Sequence, residues 1–283
     1  MSEHVDWSRA TADDLATAGS PWLEGKVALV AGGGMSGPEG GVGFGMAWLF
    51  AREGAAVAVL DRDPEAAGRA VDAIIAAGGR AQAFEVDLTS GASVETAVGA
   101  AADALGPIDV VGNSLGGGGT QPVLEATEEE WDRAMDVNLK SAWLLMKHVA
   151  PRMADGGSIV CVSSGAVEGR GPGLPYTVAK TALEKLCIGA AGSLAPRGIR
   201  VNCIRVGMIW GAFAAKGLTQ EKREFRAKNV ALGVEGTAWD IAAAALFLST
   251  RQARWVSGQV LAVDGGGTKP PYVGQAGQKK DDA

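Results

Sequence analysis

The chain has 283 residues, 47% hydrophobic and 20% charged, with a formal net charge of −6. That length can bury a full core, the apolar content excludes a disordered chain, and the acidic balance argues against a nucleic-acid surface. No apolar run approaches the roughly 18 residues of a membrane span, the longest lying around Ile241 to Leu248, and Glu3, Asp6, Asp13 and Asp14 interrupt the first twenty residues where a secretory signal would need an apolar block.

In chain order, residues 1–22 are polar and read as an N-terminal arm, residues 23–268 as one domain, and residues 269–283, with Pro270, Pro271 and a Lys-Lys-Asp-Asp run, as a C-terminal tail. Inside the domain, β-rich runs at 27–31, 56–60, 81–86, 108–111, 158–162, 199–204 and 259–263 alternate with helical patterns. The helices are expected at 44–52, 65–77, 94–105, 128–153 (two helices or one kinked), 176–194 and 240–248. Most of the strand runs are continuously apolar, as in a sheet covered on both faces. Alternation of this kind predicts an α/β fold: a single Rossmann-type, doubly wound parallel sheet of about seven strands with helices on both faces.

Glycine is the outlying residue: 42 positions, about 15% against a usual ~7%. The glycines cluster directly after apolar runs, at 32–45, 116–119 and 265–267. The first cluster separates the first strand from a helix, which is what a dinucleotide pyrophosphate needs: a close backbone approach and free N–H groups at a helix N-terminus. The second strand ends at Asp61, where such folds carry an acid for the adenosine ribose, and the third ends at Asp87. A carboxylate at Asp61 would repel a 2′-phosphate and favours NAD, while Arg62 beside it could clamp that phosphate and admit NADP.

Cys161, Cys187 and Cys203 lie apart within apolar segments, as expected of reduced thiols in a cytoplasmic protein. With two histidines and no paired Cys or His spacing, no metal site is expected. Further along, Ser158-Ile-Val-Cys-Val-Ser163-Ser164 is a strand ending in two hydroxyls, and a Gly/Pro-rich loop leads from it to Tyr176-Thr-Val-Ala-Lys180. Spacing i, i+4 puts Tyr176 and Lys180 on one helical face. An ammonium there is expected to lower the phenol pKa and make Tyr176 a general acid/base for an alcohol oxygen.

These motifs together resemble the short-chain dehydrogenase/reductase family, in its Tyr-x-x-x-Lys branch, over roughly residues 25 to 267. Gly32 and Gly41-Val42-Gly43 resemble its glycine loop, and Asp87 its adenine-side acid, followed by Leu88. Asp136-Val-Asn138-Leu resembles its relay-water helix, and Ser164, Tyr176 and Lys180 its catalytic core. Residues 199–204 and 258–266 resemble its last two strands. The resemblance implies that Tyr176 exchanges the proton and Ser164 hydrogen-bonds the substrate oxygen. It implies further that Lys180 binds the nicotinamide ribose, Asn138 holds the relay water, and hydride passes between NAD(H) and a small-molecule secondary alcohol or ketone. An NADPH-dependent carbonyl reductase and a non-catalytic nucleotide-binding regulator on the same fold are the alternatives. Family members also imply a homotetramer, packed through helices 128–153 and 176–194.

Several positions depart from the family pattern. Residues 33–40 lengthen the glycine loop by about five. Gly112-Asn113-Ser-Leu-Gly116 replaces Asn-Asn-Ala-Gly, leaving Asn113 as the matching residue. Val206-Gly207 replaces Pro-Gly and Gly211 a threonine, although the backbone from Gly207 to Ile209 can still meet a carboxamide. The interval to Tyr176 is twelve from Ser164 and thirteen from Ser163, so motif position favours Ser164 and the commoner spacing Ser163. Met208, Trp210, Phe213, Leu174 and Val167 are candidates for an apolar pocket suited to an aromatic or alicyclic substrate. Lys222, Arg223, Arg226 and Lys228 form either a solvated helix face or a contact for an anionic substrate tail.

Overall fold

The computed structural model describes residues 21–38, 40–169, 173–211 and 219–267; nearly all of the N-terminal arm, the C-terminal tail and Phe213 lie outside them. Strands β1 (Val27–Ala31), β2 (Ala56–Asp61), β3 (Arg80–Glu85), β4 (Ile108–Asn113), β5 (Met153–Ser164) and β6 (Arg200–Val206) appear where apolar runs are expected. After them, β7 (Ile209–Trp210) and β8 (Gly236–Thr237) make a separate two-stranded parallel ribbon, and β9 (Val260–Val263) is the last strand. The main sheet is parallel throughout, in the order β3-β2-β1-β4-β5-β6-β9. The order reverses between β1 and β4, whose carboxyl ends meet at Ala31 and Asn113. In sheets wound this way, a crevice opens for a ligand at that point.

Helices α1 (Val42–Arg52), α2 (Pro64–Ala76) and α8 (Ala238–Ser249) cover one face of the sheet, with α3 (Gly91–Leu105), α5 (Ser141–Val149) and α6 (Leu174–Leu194) on the other. Between α3 and α5 runs α4 (Glu128–Met135), and α7 (Gln220–Asn229) precedes the β8 ribbon strand. β1 is wholly buried, and such a run has no amphipathic period to read because both of its faces meet side chains. β3 differs from expectation: it is the sheet edge, and all of its residues are exposed or half-buried. β5 starts five residues earlier than its apolar run, with a register slip opposite Ile108 and Val110 where Gly156 takes φ +80°.

The pattern at 128–153 resolves into α4, a π-helical turn at Asp136–Lys140, α5 and a short 3-10 turn. Thr127 and Glu130 form a reciprocal cap at the start of α4. The π-turn is the kink, and Asn138 sits inside it. Such single turns of wider helix are frequent at functional sites, because they re-aim one side chain without ending the helix. Among the described residues, no helix is long and apolar enough to cross a membrane.

Candidate active site

The glycine cluster after β1 makes a cradle for an anion. Gly32 takes φ +70° and its N–H donates to Leu60 O at 2.8 Å, turning the chain off the sheet. A Cβ on Gly43 would stand 1.9 Å from Gly32 O, so only glycine lets α1 start this close to the loop. Gly41 caps α1 without a side-chain acceptor, and no acid occupies the first turn. The first amides of this eleven-residue helix therefore have no side-chain acceptor at the cap and no carboxylate in the first turn to offset the helix dipole. A dinucleotide pyrophosphate fits these residues; Val42, half-buried, follows at the first helical position.

The lengthened part of the loop is pinned against α2. Met35 N donates to Ala66 O (2.8 Å), and Arg69 Nε donates to Met35 O (3.1 Å). Gly34 N donates to Asp61 Oδ2 at 2.9 Å, and Asp63 N donates to the other carboxylate oxygen at 3.1 Å. Asp61 is thus part of the loop's support, with a lone pair on each oxygen left over for a ligand hydroxyl. Arg62 is exposed. Asp87 accepts from the Thr89 hydroxyl (2.6 Å) and amide (2.9 Å), and these bonds hold its carboxyl below the usual range, helped by Arg62. Leu88 beside it is buried. An adjoining cleft of about 900 Å³ is lined by Arg62, Asp87, Thr89, Glu128, Glu129, Asp132, Arg133, Asp136 and Val137, so that five carboxylates face two guanidinium groups and the wall is acidic on balance.

At the other end of the crevice, Asn138, Ser164, Tyr176 and Lys180 converge around the loop 115–119. Buried Lys180 donates from Nζ to Leu115 O (3.2 Å) and Val162 O (2.9 Å). Buried Asn138 accepts from Gly117 N (2.9 Å) and donates to Gly117 O and Ala134 O (both 2.9 Å). Both amide hydrogens are used, so its side chain can receive a relay water only at the second lone pair of Oδ1. The glycines of this loop, which departs from the family's Asn-Asn-Ala-Gly, pack closely against these groups. A Cβ on Gly116 would lie 2.7 Å from Lys180 Nζ and 3.0 Å from Asn138 Oδ1, and one on Gly119 would lie 3.0 Å from Tyr176 N. Asn113, buried at the end of β4, accepts from Leu115 N (3.2 Å) and so shapes the same loop.

One expectation about this end needs correction. Lys180 does not lower the Tyr176 pKa here: burial pushes the phenol above its ordinary value of 10, and only a hydrogen bond with Ser164 acts the other way. The reason is direction, since the ammonium turns to the two carbonyls and lies 5.9 Å from the centre of the Tyr176 ring. Burial brings Lys180 itself down to about 8. The serines divide clearly. Buried Ser163 donates to Glu184 Oε1 (3.0 Å), whereas half-buried Ser164 pairs with Tyr176 and accepts from Ala166 N (3.2 Å).

Gly207 packs so tightly that a Cβ would lie 2.5 Å from Asp264, and Ile209 O in β7 accepts from Arg226 Nη2 (3.1 Å). Met208, Trp210 and Val167 are half-buried and Leu174 is exposed. One face of Trp210 is taken by the Arg223 guanidinium at 3.6 Å from the ring centre. Of the basic stretch, Arg223 and Arg226 therefore turn inward, where both pair with Glu235 (3.0 and 3.1 Å), leaving Lys222 and Lys228 for a solvated face. The cysteines, apart in sequence, meet in space. Cys161 and Cys203 are register partners on β5 and β6, and Cys187 comes down from α6 within hydrogen-bond reach of both.

Sequence reasoning missed the charged trio Arg205, Glu184 and Glu168, in which Arg205 binds both carboxylates. The available signal was an arginine at the end of an apolar strand, where a charge needs a partner.

Residues 37–268 match a family model described as enoyl-(acyl carrier protein) reductase. A 7alpha-hydroxysteroid dehydrogenase of Escherichia coli (strain K12) is 35% identical over 250 residues, covering 87% of this chain and 96% of that protein. A 3-oxoacyl-[acyl-carrier-protein] reductase of Chlamydia muridarum is 35% identical over 248 residues, covering 86% and 98%. Among solved structures, a 7 alpha-hydroxysteroid dehydrogenase complexed with NADH and 7-oxo glycochenodeoxycholic acid superposes with a TM-score of 0.82 at 33% identity, covering 92% of this chain and 99% of that one.

Proposed function

The chain belongs to the short-chain dehydrogenase/reductase family of oxidoreductases, and from that premise we propose that it interconverts an apolar secondary alcohol and its ketone with NAD(H). The observation that carries the reading is the convergence of Ser164 and Tyr176 beside a buried lysine at the end of a nucleotide cradle. When bound, the nicotinamide supplies the hydride acceptor or donor. The chain's own groups do the rest. Tyr176 moves the proton at the substrate oxygen, and Ser164 hydrogen-bonds that oxygen and the phenol. Lys180, still largely charged at neutral pH with a pKa of about 8, holds the ribose side of the cofactor and fixes the loop 115–119 through Leu115. Asn138 locks Gly117 and so fixes the loop that runs beside Tyr176.

The reading is tested by mixing the protein with NAD and 1-phenylethanol, cyclohexanol or a 7α-hydroxy bile acid, and following NADH absorbance. Turnover of a secondary alcohol supports it; no turnover of any of them, with NADH nonetheless bound, would favour a nucleotide-binding regulator. The apolar substrate class is supported by Met208, Val167 and exposed Leu174, which opens α6 two residues before Tyr176.

NAD over NADP is supported by Asp61 at the cradle and by the acidic wall of Glu128, Asp132 and Asp136. Exposed Arg62 is the group that favours the opposite choice. Replacing Asp61 with alanine is expected to raise the ratio of kcat/KM for NADPH over NADH by about tenfold or more, since one repulsive charge beside a phosphate is worth more than 1 kcal/mol. The same change weakens binding of both cofactors, because Gly34 N loses its acceptor. If the parent chain already prefers NADPH, Asp61 does not select the cofactor.

A homotetramer is the proposed assembly, supported by Trp131, Trp143, Val178 and Ile188, which stand exposed on α4, α5 and α6. Sedimentation should give a single species of four chains; a monomer at micromolar concentration would contradict it.

A further inference from the structure

Arg205 stands at the carboxyl end of β6, in register with Ser163 on β5. Its guanidinium forks onto Glu184, with Nε donating to Oε1 at 3.0 Å and Nη2 to Oε2 at 2.7 Å, while Nη1 reaches Glu168 Oε1 at 2.9 Å. Glu184 is buried on α6, one helical turn beyond Lys180, and accepts Ser163 Oγ as well. Glu168 ends the short turn Gly165–Glu168, which starts directly after Ser164 and donates Ala166 N to the Ser164 hydroxyl oxygen. One planar cation on β6, the strand beside the serine pair, thus joins the helix carrying Tyr176 and Lys180 to the turn that orients Ser164.

We propose that Arg205 and Glu168, with Glu184 as their buried anchor, are positioning residues that aim the Ser164 hydroxyl at Tyr176. The two-pronged contact with Glu184 fixes the plane of the guanidinium, so the third nitrogen points in one direction only. Glu168 reaches it from a turn whose first residue, Gly165, has no side chain of its own to lock the backbone. As an exposed ion pair the Arg205–Glu168 contact contributes little to stability. What it contributes is direction: with Glu168 held, Ala166 N stays on the far side of Ser164 Oγ and the hydroxyl is left facing the phenol.

The buried arm cannot be cut cleanly, because removing Arg205 strands the Glu184 carboxylate. The exposed arm can. The inference rests on the reading of Ser164 and Tyr176 above, so its test uses a readout independent of turnover. The chain has two tyrosines, Tyr176 and Tyr272, and a Tyr272→Phe background leaves tyrosinate absorbance reporting Tyr176 alone.

In that background Glu168→Gln is expected to raise the Tyr176 titration midpoint by about half a pH unit and to lower kcat on 1-phenylethanol about fivefold, as coupled neighbours do. The melting temperature and the Kd for NADH should not move. Adding Ser164→Ala should abolish both effects of Glu168→Gln. The proposal is overturned if Glu168→Gln leaves the midpoint where it was, or shifts it equally with Ser164→Ala present. Should the parent chain turn over no alcohol, the proposed function has failed, yet the titration still decides the clamp.

Discussion

Replacing Tyr176 with phenylalanine is expected to lower kcat by about a thousandfold while leaving the Kd for NADH within about twofold. The phenyl ring keeps the packing of a half-buried side chain, so the cradle at Gly32, Gly41 and Gly43 is untouched. What disappears is the one hydroxyl that pairs with Ser164 and can pass a proton to a substrate oxygen. The fold loses little, since phenylalanine is smaller by a single polar atom whose burial was itself unfavourable. Steady-state kinetics and a fluorescence titration with NADH, run on the same preparation, separate the two effects. A variant that kept a tenth of the parent kcat would remove Tyr176 from the chemistry.

The second large effect is expected from Lys180→Met: kcat down by at least about a hundredfold and NADH binding weakened roughly tenfold. Methionine fills the buried space but cannot donate to Leu115 O or Val162 O, which the ammonium holds at 3.2 and 2.9 Å. The loop 115–119 then loses its tie to α6, and the Leu115 and Val162 carbonyls lose a donor. Stability should change less than those losses suggest, because the buried charge is removed too.

Its pH dependence carries a distinct sign. Lys180 has a pKa of about 8 in the folded chain against an ordinary value of 10.5. Between those values the unfolded chain binds one more proton, so this group makes stability rise with pH through that window. Denaturant melts at pH 8 and pH 10 should show that contribution in the parent and its absence in Lys180→Met.

Most of the fold is legible in the sequence because the physics that forms it is local. β1 and β2 are runs of buried aliphatic residues, and the glycines that follow β1 mark a turn only glycine tolerates. Edge strand β3 begins one residue before its expected run because its exposure gives a weak pattern, and the β7–β8 ribbon, two residues a side, is too short for any period. The catalytic candidates follow from motif order, yet the electrostatics do not. Spacing i, i+4 brings two Cβ atoms together, but a lysine has four more carbons with which to choose its partner, and here the partners are two carbonyls supplied by other segments. Motif position favours Ser164 and the commoner spacing Ser163; the pleat sends them to opposite faces, one to Glu184 and one to Tyr176. Cys161, Cys187 and Cys203 illustrate the same limit, being distant in the chain and adjacent only through strand register and helix docking.

The central claim is that Tyr176 is the proton-transfer group and that bound cofactor, rather than Lys180 alone, makes its phenol acidic enough to act. Unliganded, burial holds that phenol above 10. A cationic nicotinamide ring in the same enclosed space should favour the phenolate. Titrating tyrosinate absorbance in the Tyr272→Phe chain, first without and then with saturating NAD, measures this directly. The midpoint is predicted to start above 10 and to fall by at least about one pH unit with NAD bound. A midpoint that NAD leaves unmoved would contradict the assignment.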